Sequence, residues 1–346
     1  MEDILNEIIS LEHEIENSNK DKLWRFNFGF FNENDKLKFV TPFLSIKLQD
    51  EGKLNIRYPE WKKACVVLTH DIDLPVHSLL NLIKLLFKDF KKKYYKNAYY
   101  RILWFFNKQK DLWRNFNYIM DLEEKYSAKS SFYFMSTRDT HKLYNIEKFE
   151  NDIKNISNRW FEIWLHWGYD NSWKDLNILM EEKQRLEKCL WKKIIWIRQH
   201  YLRYDHNKTL VNDKKAWFLY DTTLGYNDYI WFRNGMWHIF NPIDLNTWKL
   251  IKWFYEIPLV IMDCTLWNYM KLDFNEAWQE VKSILDKVIS IWWTVSILWH
   301  NDQFDDTFHP RSWELYEKIL IYLKNNNVWM TSGEECLKYL KETNQI

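Results

Sequence analysis

Polar residues that can carry acid–base or metal chemistry follow the ends of several apolar runs in this 346-residue sequence. Aspartate and histidine act as general acids and bases, and both ligate divalent metal ions. Any one of them could simply cap the end of a strand. Capping alone explains poorly why such residues follow so many of the apolar runs. The set comprises Thr69-His70-Asp71-Ile72-Asp73, His166, Asp170, Arg198-Gln199-His200-Tyr201, Asp221, Asp263 and His300-Asn301-Asp302.

Predicted β-strands must position these residues. Seven apolar, β-rich runs occur, and helical stretches such as 174–190 and 275–290 lie between most of them. Strands that alternate with helices indicate βαβ units and a parallel sheet, and seven of them favour a closed or nearly closed α/β barrel. In such a barrel the carboxyl ends of the strands form the active-site face. The runs are 64–68, 131–135, 161–165, 194–197, 217–220, 255–262 and 294–298.

Composition and charge exclude several classes of protein. There are 49 basic and 48 acidic residues, and a net charge of +1 provides no field that would recruit nucleic acid. The four cysteines form no CxxC pair, which disfavours a disulfide scaffold and a structural zinc site. We see no secretory signal and no apolar run of about 18 residues, so we predict a cytoplasmic protein without a membrane span. The basic, aromatic segment 76–106 is predicted to pack on the barrel, with peripheral membrane contact as the alternative.

Tryptophan and glycine occur in an abnormal ratio, with 22 tryptophans and 6 glycines. A typical protein of this length would have about 24 glycines. Several tryptophans stand where a chain turns or leaves a strand, namely Trp164, Trp167, Trp196 and the pair Trp292-Trp293, and such positions favour glycine. We therefore predict that UGA codons specifying glycine have been translated as tryptophan. A tryptophan-rich protein that stacks on carbohydrate is the alternative, but it leaves the missing glycines unexplained.

Five segments resemble, in the same chain order, the motifs of the NodB-type polysaccharide deacetylases. The second segment matches their E-I-G-x-H pattern once Trp164 is taken as glycine, and the third supplies their arginine as Arg198. The chain looks closest to a divergent branch that carries T-H-D-[VI]-D and R-Q-H-Y. The segments are VLTHDID at 67–73, EIWLH at 162–166, WIRQHY at 196–201, YDTT at 220–223 and LWH at 298–300.

This resemblance implies both a fold and an activity. The fold would be a distorted (β/α)7 barrel over residues 61–346, preceded by a short N-terminal extension at 1–60. The activity would be metal-dependent removal of an N- or O-acetyl group from an acetylated sugar or polysaccharide precursor, with zinc as the expected divalent metal. A non-catalytic carbohydrate-binding or assembly module on the same barrel is the alternative function.

The resemblance also implies a role for each matching residue. Asp71 would be the general base, Arg198 would orient and tune it, and His300 would protonate the leaving group. Asp73 and His166 would hold the metal. The candidates for substrate binding are His200, Tyr201, Asp221 and His238.

Two departures from the family pattern leave assignments open. The second motif of the family ends with another histidine, but Asp170 stands at that position here. A carboxylate can ligate zinc and also suits harder metals, so the third ligand could be Asp170, His200 or His238. One residue separates the two aspartates of the first segment, so either Asp71 or Asp73 could be the base.

Overall fold

The computed structural model describes most of the chain from residue 56 onwards and short stretches before it. The described residues are 19–22, 25–31, 45–46, 50, 56–73, 75, scattered positions from 83 to 102, 113–137, 144–168, 175–205, 207–306 and 309–346. Segment 76–106, predicted to pack on the barrel or touch a membrane, therefore lies largely outside the described residues. None of the helices within the described residues is long and apolar enough to cross a membrane.

A parallel sheet forms the centre of the molecule. Within the described residues its strands run in the order β8-β5-β4-β3-β2-β1-β10-β9, every neighbouring pair is parallel, and β11 also pairs with β1. Strands β6 and β7 form a separate antiparallel pair. The bounds are β1 (Cys65–Ile72), β2 (Ser131–Phe134), β3 (Glu162–Trp167), β4 (Trp196–Gln199), β5 (Tyr220–Asp221), β6 (Ile243–Asp244), β7 (Lys249–Leu250), β8 (Tyr255–Glu256), β9 (Leu259–Met262), β10 (Thr294–Leu298) and β11 (Trp329–Thr331).

The sheet closes through a broken strand made of β8 and β9. Ile257 and Leu259 donate backbone hydrogen bonds of 3.0 Å to the chain at and after β5, while β9 pairs with β10 on its other side. Pro258 lies between the two halves and has no N–H to donate, so the ladder is interrupted there. Counting the broken strand once, seven strands surround the core. The predicted (β/α)7 barrel class is confirmed.

Helices follow most of the barrel strands and cover the outside of the sheet. The predicted helices at 174–190 and 275–290 are present as α3 (Leu176–Leu190) and α5 (Phe274–Ser290), and each is preceded by an aspartate whose side chain caps the first turn. Helices with bounds inside the described residues are α1 (Phe116–Lys125), α2 (Glu150–Asn158), α3 (Leu176–Leu190), α4 (Thr209–Lys215), α5 (Phe274–Ser290), α6 (Ser312–Asn325) and α7 (Gly333–Glu342).

Part of the predicted N-terminal extension packs against the barrel. Phe26, Phe28 and Phe31 are buried in the main hydrophobic core. The backbone N–H groups of Phe28 and Gly29 donate to the Asp228 carboxylate at 2.8 and 2.9 Å. This segment therefore shares its core with the barrel, and the domain boundary near residue 60 stays a prediction.

Among the described residues, six tryptophans adopt the left-handed backbone conformation that favours glycine. In four of them, φ is 62–64° at the carboxyl end of a helix, where a glycine commonly ends the last turn. All six are exposed, three of them by 79% or more, so no packing explains an indole there. The six are Trp160, Trp191, Trp217 and Trp292 at helix ends, with Trp248 and Trp253 in turns.

Candidate active site

A cavity of about 220 Å³ opens at the carboxyl ends of the barrel strands. Because parallel strands all end at this face, side chains that are distant in sequence meet here. The lining contains three histidines, three aspartates and an arginine, together with apolar side chains. The lining residues are Arg25, Asp71, Asp73, His166, His200, Tyr201, Leu202, Asn227, Met262, Cys264, Asn268, Tyr269, Leu298, His300 and Asp302.

Three of these side chains form a cluster of metal-ligand type. Nε2 of His166 lies 3.2 Å from Oδ1 of Asp73, and Nε2 of His200 lies 3.6 Å from Oδ2 of the same carboxylate. One ligand atom from each residue lies within 4.8 Å of the other two. Two imidazole nitrogens and a carboxylate oxygen are donors that zinc accepts, and three protein ligands leave a position for substrate or water. The residues therefore fit a divalent metal.

Hydrogen bonding and charge prepare this cluster for a cation. Nδ1 of His166 lies 3.1 Å from the carbonyl oxygen of Arg198, which can only accept, so the imidazole proton sits on Nδ1 and leaves Nε2 free to ligate. Burial alone would raise the pKa of Asp73, but His200 and His166 outweigh it and hold the pKa well below its usual range. Burial lowers the pKa of His200, which favours the neutral imidazole that binds metals.

A buried ion pair between Asp71 and Arg198 flanks the cluster. Nη1 of Arg198 donates at 2.9 Å both to Oδ1 of Asp71 and to the hydroxyl of Thr69, and Nε donates to the Thr222 carbonyl at 3.1 Å. The guanidinium is thus held by three groups and orients the carboxylate. The second oxygen, Oδ2, lies 3.5 Å from Nε2 of His166.

His300, which follows β10, is held by a second carboxylate, that of Asp263 at the end of the neighbouring strand β9. Nδ1 of His300 lies 2.8 Å from Oδ1 of Asp263, and the backbone N–H of His300 donates to Oδ2. Nε2 points the other way and lies 3.9 Å from Oδ2 of Asp73. Burial would lower the pKa of His300, but the charge of Asp263 outweighs it and raises the pKa well above its usual range. Cys264 is also near, with its sulfur 3.8 Å from Nδ1.

The histidine of the first motif segment points away from the cavity. His70 is fully buried, and its two ring nitrogens lie 2.7 Å from the Trp299 carbonyl and 2.9 Å from the Glu123 carboxylate. Because side chains alternate along a strand, Asp71 and Asp73 then face the cavity while His70 ties β1 to β10 and α1.

Solved structures place this architecture among known folds, although no protein-family model and no curated protein matches the sequence. A Mycobacterium smegmatis protein assigned as a polysaccharide deacetylase superposes with a TM-score of 0.57 at 14% identity, covering 84% of this chain and 94% of that one. Puue allantoinase gives 0.57 at 12% identity, covering 85% and 96%. A Pseudomonas aeruginosa PAO1 protein assigned as a polysaccharide deacetylase gives 0.56 at 12%, covering 85% and 97%. The chain has the polysaccharide deacetylase fold.

Within this deacetylase fold, most of the residues predicted for the site come together. Six of them line the cavity, and Arg198 lies directly behind Asp71. His200 joins Asp73 in the ligand cluster, whereas Asp170 lies outside the described residues. The six that line the cavity are Asp71, Asp73, His166, His200, Tyr201 and His300.

Two predicted substrate-binding residues do not line the cavity. His238 is buried beside Ser45, with its Nδ1 atom 2.8 Å from the hydroxyl, and burial lowers its pKa to about 4. Asp221 is buried at the end of β5 and accepts hydrogen bonds from the Thr222 N–H and the Thr223 hydroxyl. Both side chains therefore form hydrogen bonds inside the protein and do not face the cavity.

Three residues at the site received no role from the sequence. Asp263 was one of the strand-end acids, and its position at the end of the strand immediately before the one that leads to His300 was the available signal. Arg25 reaches the cavity from the N-terminal segment, and Asn227 reaches it from the loop after β5. Neither belongs to a motif, because long-range packing alone brings them to the cavity.

Proposed function

We propose that this protein is a metal-dependent hydrolase that removes an acetyl group from a carbohydrate. The observation that carries the proposal is the placement of a three-ligand cluster between two separately oriented acid–base groups in one cavity. Asp71, held by Arg198, lies against His166 of the cluster, and His300, held by Asp263, lies against Asp73. The deacetylase fold supports this assignment, and zinc is the metal proposed for the cluster.

The residues divide into ligands and proton carriers. Asp73, His166 and His200 would hold the cation. Asp71 would be the base because Arg198 holds its Oδ1 atom at 2.9 Å, whereas both carboxylate oxygens of Asp73 face imidazoles. The chemistry that a divalent cation supplies when bound is polarisation of the acyl carbonyl and a lowered pKa for water.

Proton transfer then follows from the two flanking groups. Oδ2 of Asp71 accepts the proton of the attacking water as the carbon–oxygen bond forms. His300, whose raised pKa keeps it protonated near neutral pH, donates from Nε2 to the leaving nitrogen or oxygen as the acyl bond breaks. Asp263 retains its hydrogen bond to Nδ1 and stabilises the charged ring before the transfer.

An apolar patch beside the ligands suits a short acyl group. Leu202, Met262 and Leu298 belong to a small buried cluster that is separate from the main core, and all three line the cavity. A methyl group of an acetyl substituent would bury its surface there without displacing polar groups. The patch is small, so a long acyl chain would have to leave the cavity through its mouth.

Acetate release tests the proposal. The full chain, loaded with one equivalent of zinc, is incubated with acetylated chito-oligosaccharides, and acetate is measured. We expect release that a chelator abolishes, that added zinc restores, and that Asp71→Asn reduces by about a hundredfold or more. The surface variant Asp286→Asn serves as the matched control. Oligosaccharide binding without metal and without acetate release would instead favour the carbohydrate-binding module. The cytoplasmic location stays a prediction of the sequence.

A further inference from the structure

An asparagine without hydrogen-bond partners lies in the wall of the cavity. Asn227 is 2% exposed, and neither its side-chain oxygen nor its side-chain nitrogen has a partner among the described residues. Buried polar groups are nearly always paired, so an unpaired amide in a cavity wall indicates a partner that enters the cavity. A side-chain amide offers two donors and an acceptor, which together match a group that both accepts and donates.

Hydrogen bonds anchor the backbone around Asn227. The carbonyl oxygen of Asn227 accepts a hydrogen bond of 2.9 Å from the Thr265 hydroxyl. The next residue, Asp228, accepts the two backbone N–H groups of Phe28 and Gly29 described above. The backbone that carries the amide is therefore anchored before any ligand arrives, which lowers the entropic cost of binding.

The same N-terminal segment supplies a second polar wall. Arg25 lines the cavity, and its guanidinium is fixed by Asp21 at 2.8 Å and by the Tyr269 hydroxyl at 2.9 Å. Because Asp21 balances its charge, this wall provides oriented donors without a net positive field. Tyr201 and Tyr269 also line the cavity and remain 42% and 41% exposed, so their rings offer apolar faces at its mouth.

We infer that Asn227 is a substrate-binding residue that recognises a hydroxyl group of the sugar carrying the acetyl group. The amide oxygen accepts from the hydroxyl and the amide nitrogen donates to its oxygen, while the exposed tyrosine rings cover the apolar face of the sugar. Within the described residues the side chain of Asn227 makes no hydrogen bond to the metal ligands or the proton carriers, so its effect is expected on carbohydrate substrates alone. This inference rests on the proposed function for its choice of ligand.

Two substrates separate sugar recognition from the acyl-transfer chemistry. Acetylated chitotetraose contains the sugar, whereas 4-nitrophenyl acetate carries the same acyl group without one. We expect Asn227→Ala to lower kcat/KM for the oligosaccharide by at least about tenfold, since one or two hydrogen bonds are lost. Hydrolysis of 4-nitrophenyl acetate should change less than about twofold. The matched control is Asn155→Ala on the exposed face of α2, which should alter neither rate.

The thermal midpoint of unfolding, Tm, separates a binding role from a structural one. Replacing a residue that stabilises the fold would lower the Tm. Removing an unpaired buried amide should leave the Tm of Asn227→Ala unchanged or raise it. Equal losses on both substrates, no loss on either, or a lowered Tm with both rates reduced would overturn the inference.

Calorimetry keeps the inference testable if the protein hydrolyses neither substrate. Titration of N-acetylchitotetraose into the zinc-loaded protein would then measure binding directly. An affinity that falls about tenfold in Asn227→Ala would support the assignment of Asn227 as a sugar-binding residue. The proposed deacetylase activity would then have failed independently of that assignment. Binding unaffected by the substitution, or no binding at all, would overturn it.

Discussion

The imidazole of His300 is held against the carboxylate of Asp263, with Nδ1 2.8 Å from Oδ1. This contact has two consequences for the cavity. It fixes the ring so that Nε2 faces Asp73, and it raises the pKa of His300 well above its usual range. A histidine that stays protonated near neutral pH can donate a proton, so the contact with Asp263 suits His300 to the role of general acid.

Asp263→Asn should weaken that acid. We expect kcat for acetate release to fall by about a hundredfold with little change in KM, because substrate binding does not involve Asp263. The raised pKa of His300 should return towards its usual range, so His300 loses its proton at a lower pH. The alkaline limb of the kcat–pH profile should therefore move to lower pH. An alkaline limb that stays in place while kcat falls would exclude His300 as the titrating acid.

The third metal ligand can be decided without any assay of activity. We expect zinc titrated against a competing chelator to bind the protein in equimolar amount. His200→Ala should weaken that binding on the order of a hundredfold or more, because one of three ligands is lost. Asp170→Ala and His238→Ala are the matched comparisons and should keep their zinc. Loss of zinc binding in Asp170→Ala, with zinc binding retained in His200→Ala, would instead identify Asp170 as the third ligand.

The strands and the residues of the first motif were predictable from the sequence, because apolar runs and the polar residues that follow them are local features of the chain. Strand β1 is buried along its whole length, and a fully buried parallel strand is a continuous apolar run. The strand predicted at 217–220 was less accurate. The observed strand is Tyr220–Asp221, and Trp217, with a φ of 63°, lies in a turn before it.

The third ligand and the cavity wall were not predictable in the same way. The register between β3 and β4 pairs His166 with Arg198, which places His200 two residues further along on the same face. Register is a property of two strands together, so the spacing inside one motif does not contain it. Arg25 likewise reaches the cavity only because its segment packs across the barrel.

The left-handed tryptophans make the codon hypothesis testable. The source DNA should read UGA at Trp160, Trp191, Trp217 and Trp292, and at Trp293, whose indole lies 3.0 Å, ring centroid to ring centroid, from that of another tryptophan. Contact between carbon atoms is optimal at about 3.5–4.0 Å, so that pair is overcrowded. Trp113 and Trp299 should read UGG. If all of these codons read UGG, the hypothesis is wrong.

Stability provides a second readout for the same hypothesis. A side chain in the left-handed region costs about 1–2 kcal/mol, so Trp191→Gly or Trp217→Gly should raise the free energy of unfolding by about 1 kcal/mol each. Urea denaturation measures the difference. Trp278→Gly, within α5, is the matched control and should lower it by about 1 kcal/mol or more, because glycine is unfavourable inside a helix. A protein destabilised by all three substitutions would contradict the assignment of glycine to the helix ends.

Asp221 should make stability depend on pH. Burial raises its pKa to about 7, and its Oδ2 atom has no partner among the described residues. Burial and, in turn, the charge of Asp221 raise the pKa of the carboxyl groups of Asp213 and Glu256. A carboxyl group with a raised pKa in the folded protein stabilises the fold below its unfolded pKa, and that contribution is lost as pH rises through about 7. The loss amounts to about 1.4 kcal/mol per pH unit between the two pKa values.

Asp221→Asn isolates this effect from the other titrating groups. The amide cannot ionise, so the variant should gain stability relative to the unchanged protein as pH rises from 5 to about 7, and urea unfolding at intervals across that range measures the gain. The matched control is Asp286→Asn, an exposed carboxylate whose pKa is lowered by contact with Lys282, and it should show no such gain. A difference between Asp221→Asn and the unchanged protein that stays constant from pH 5 to 8 would mean that Asp221 is already charged in the folded barrel. Arg198 would then have to neutralise it, in addition to orienting Asp71.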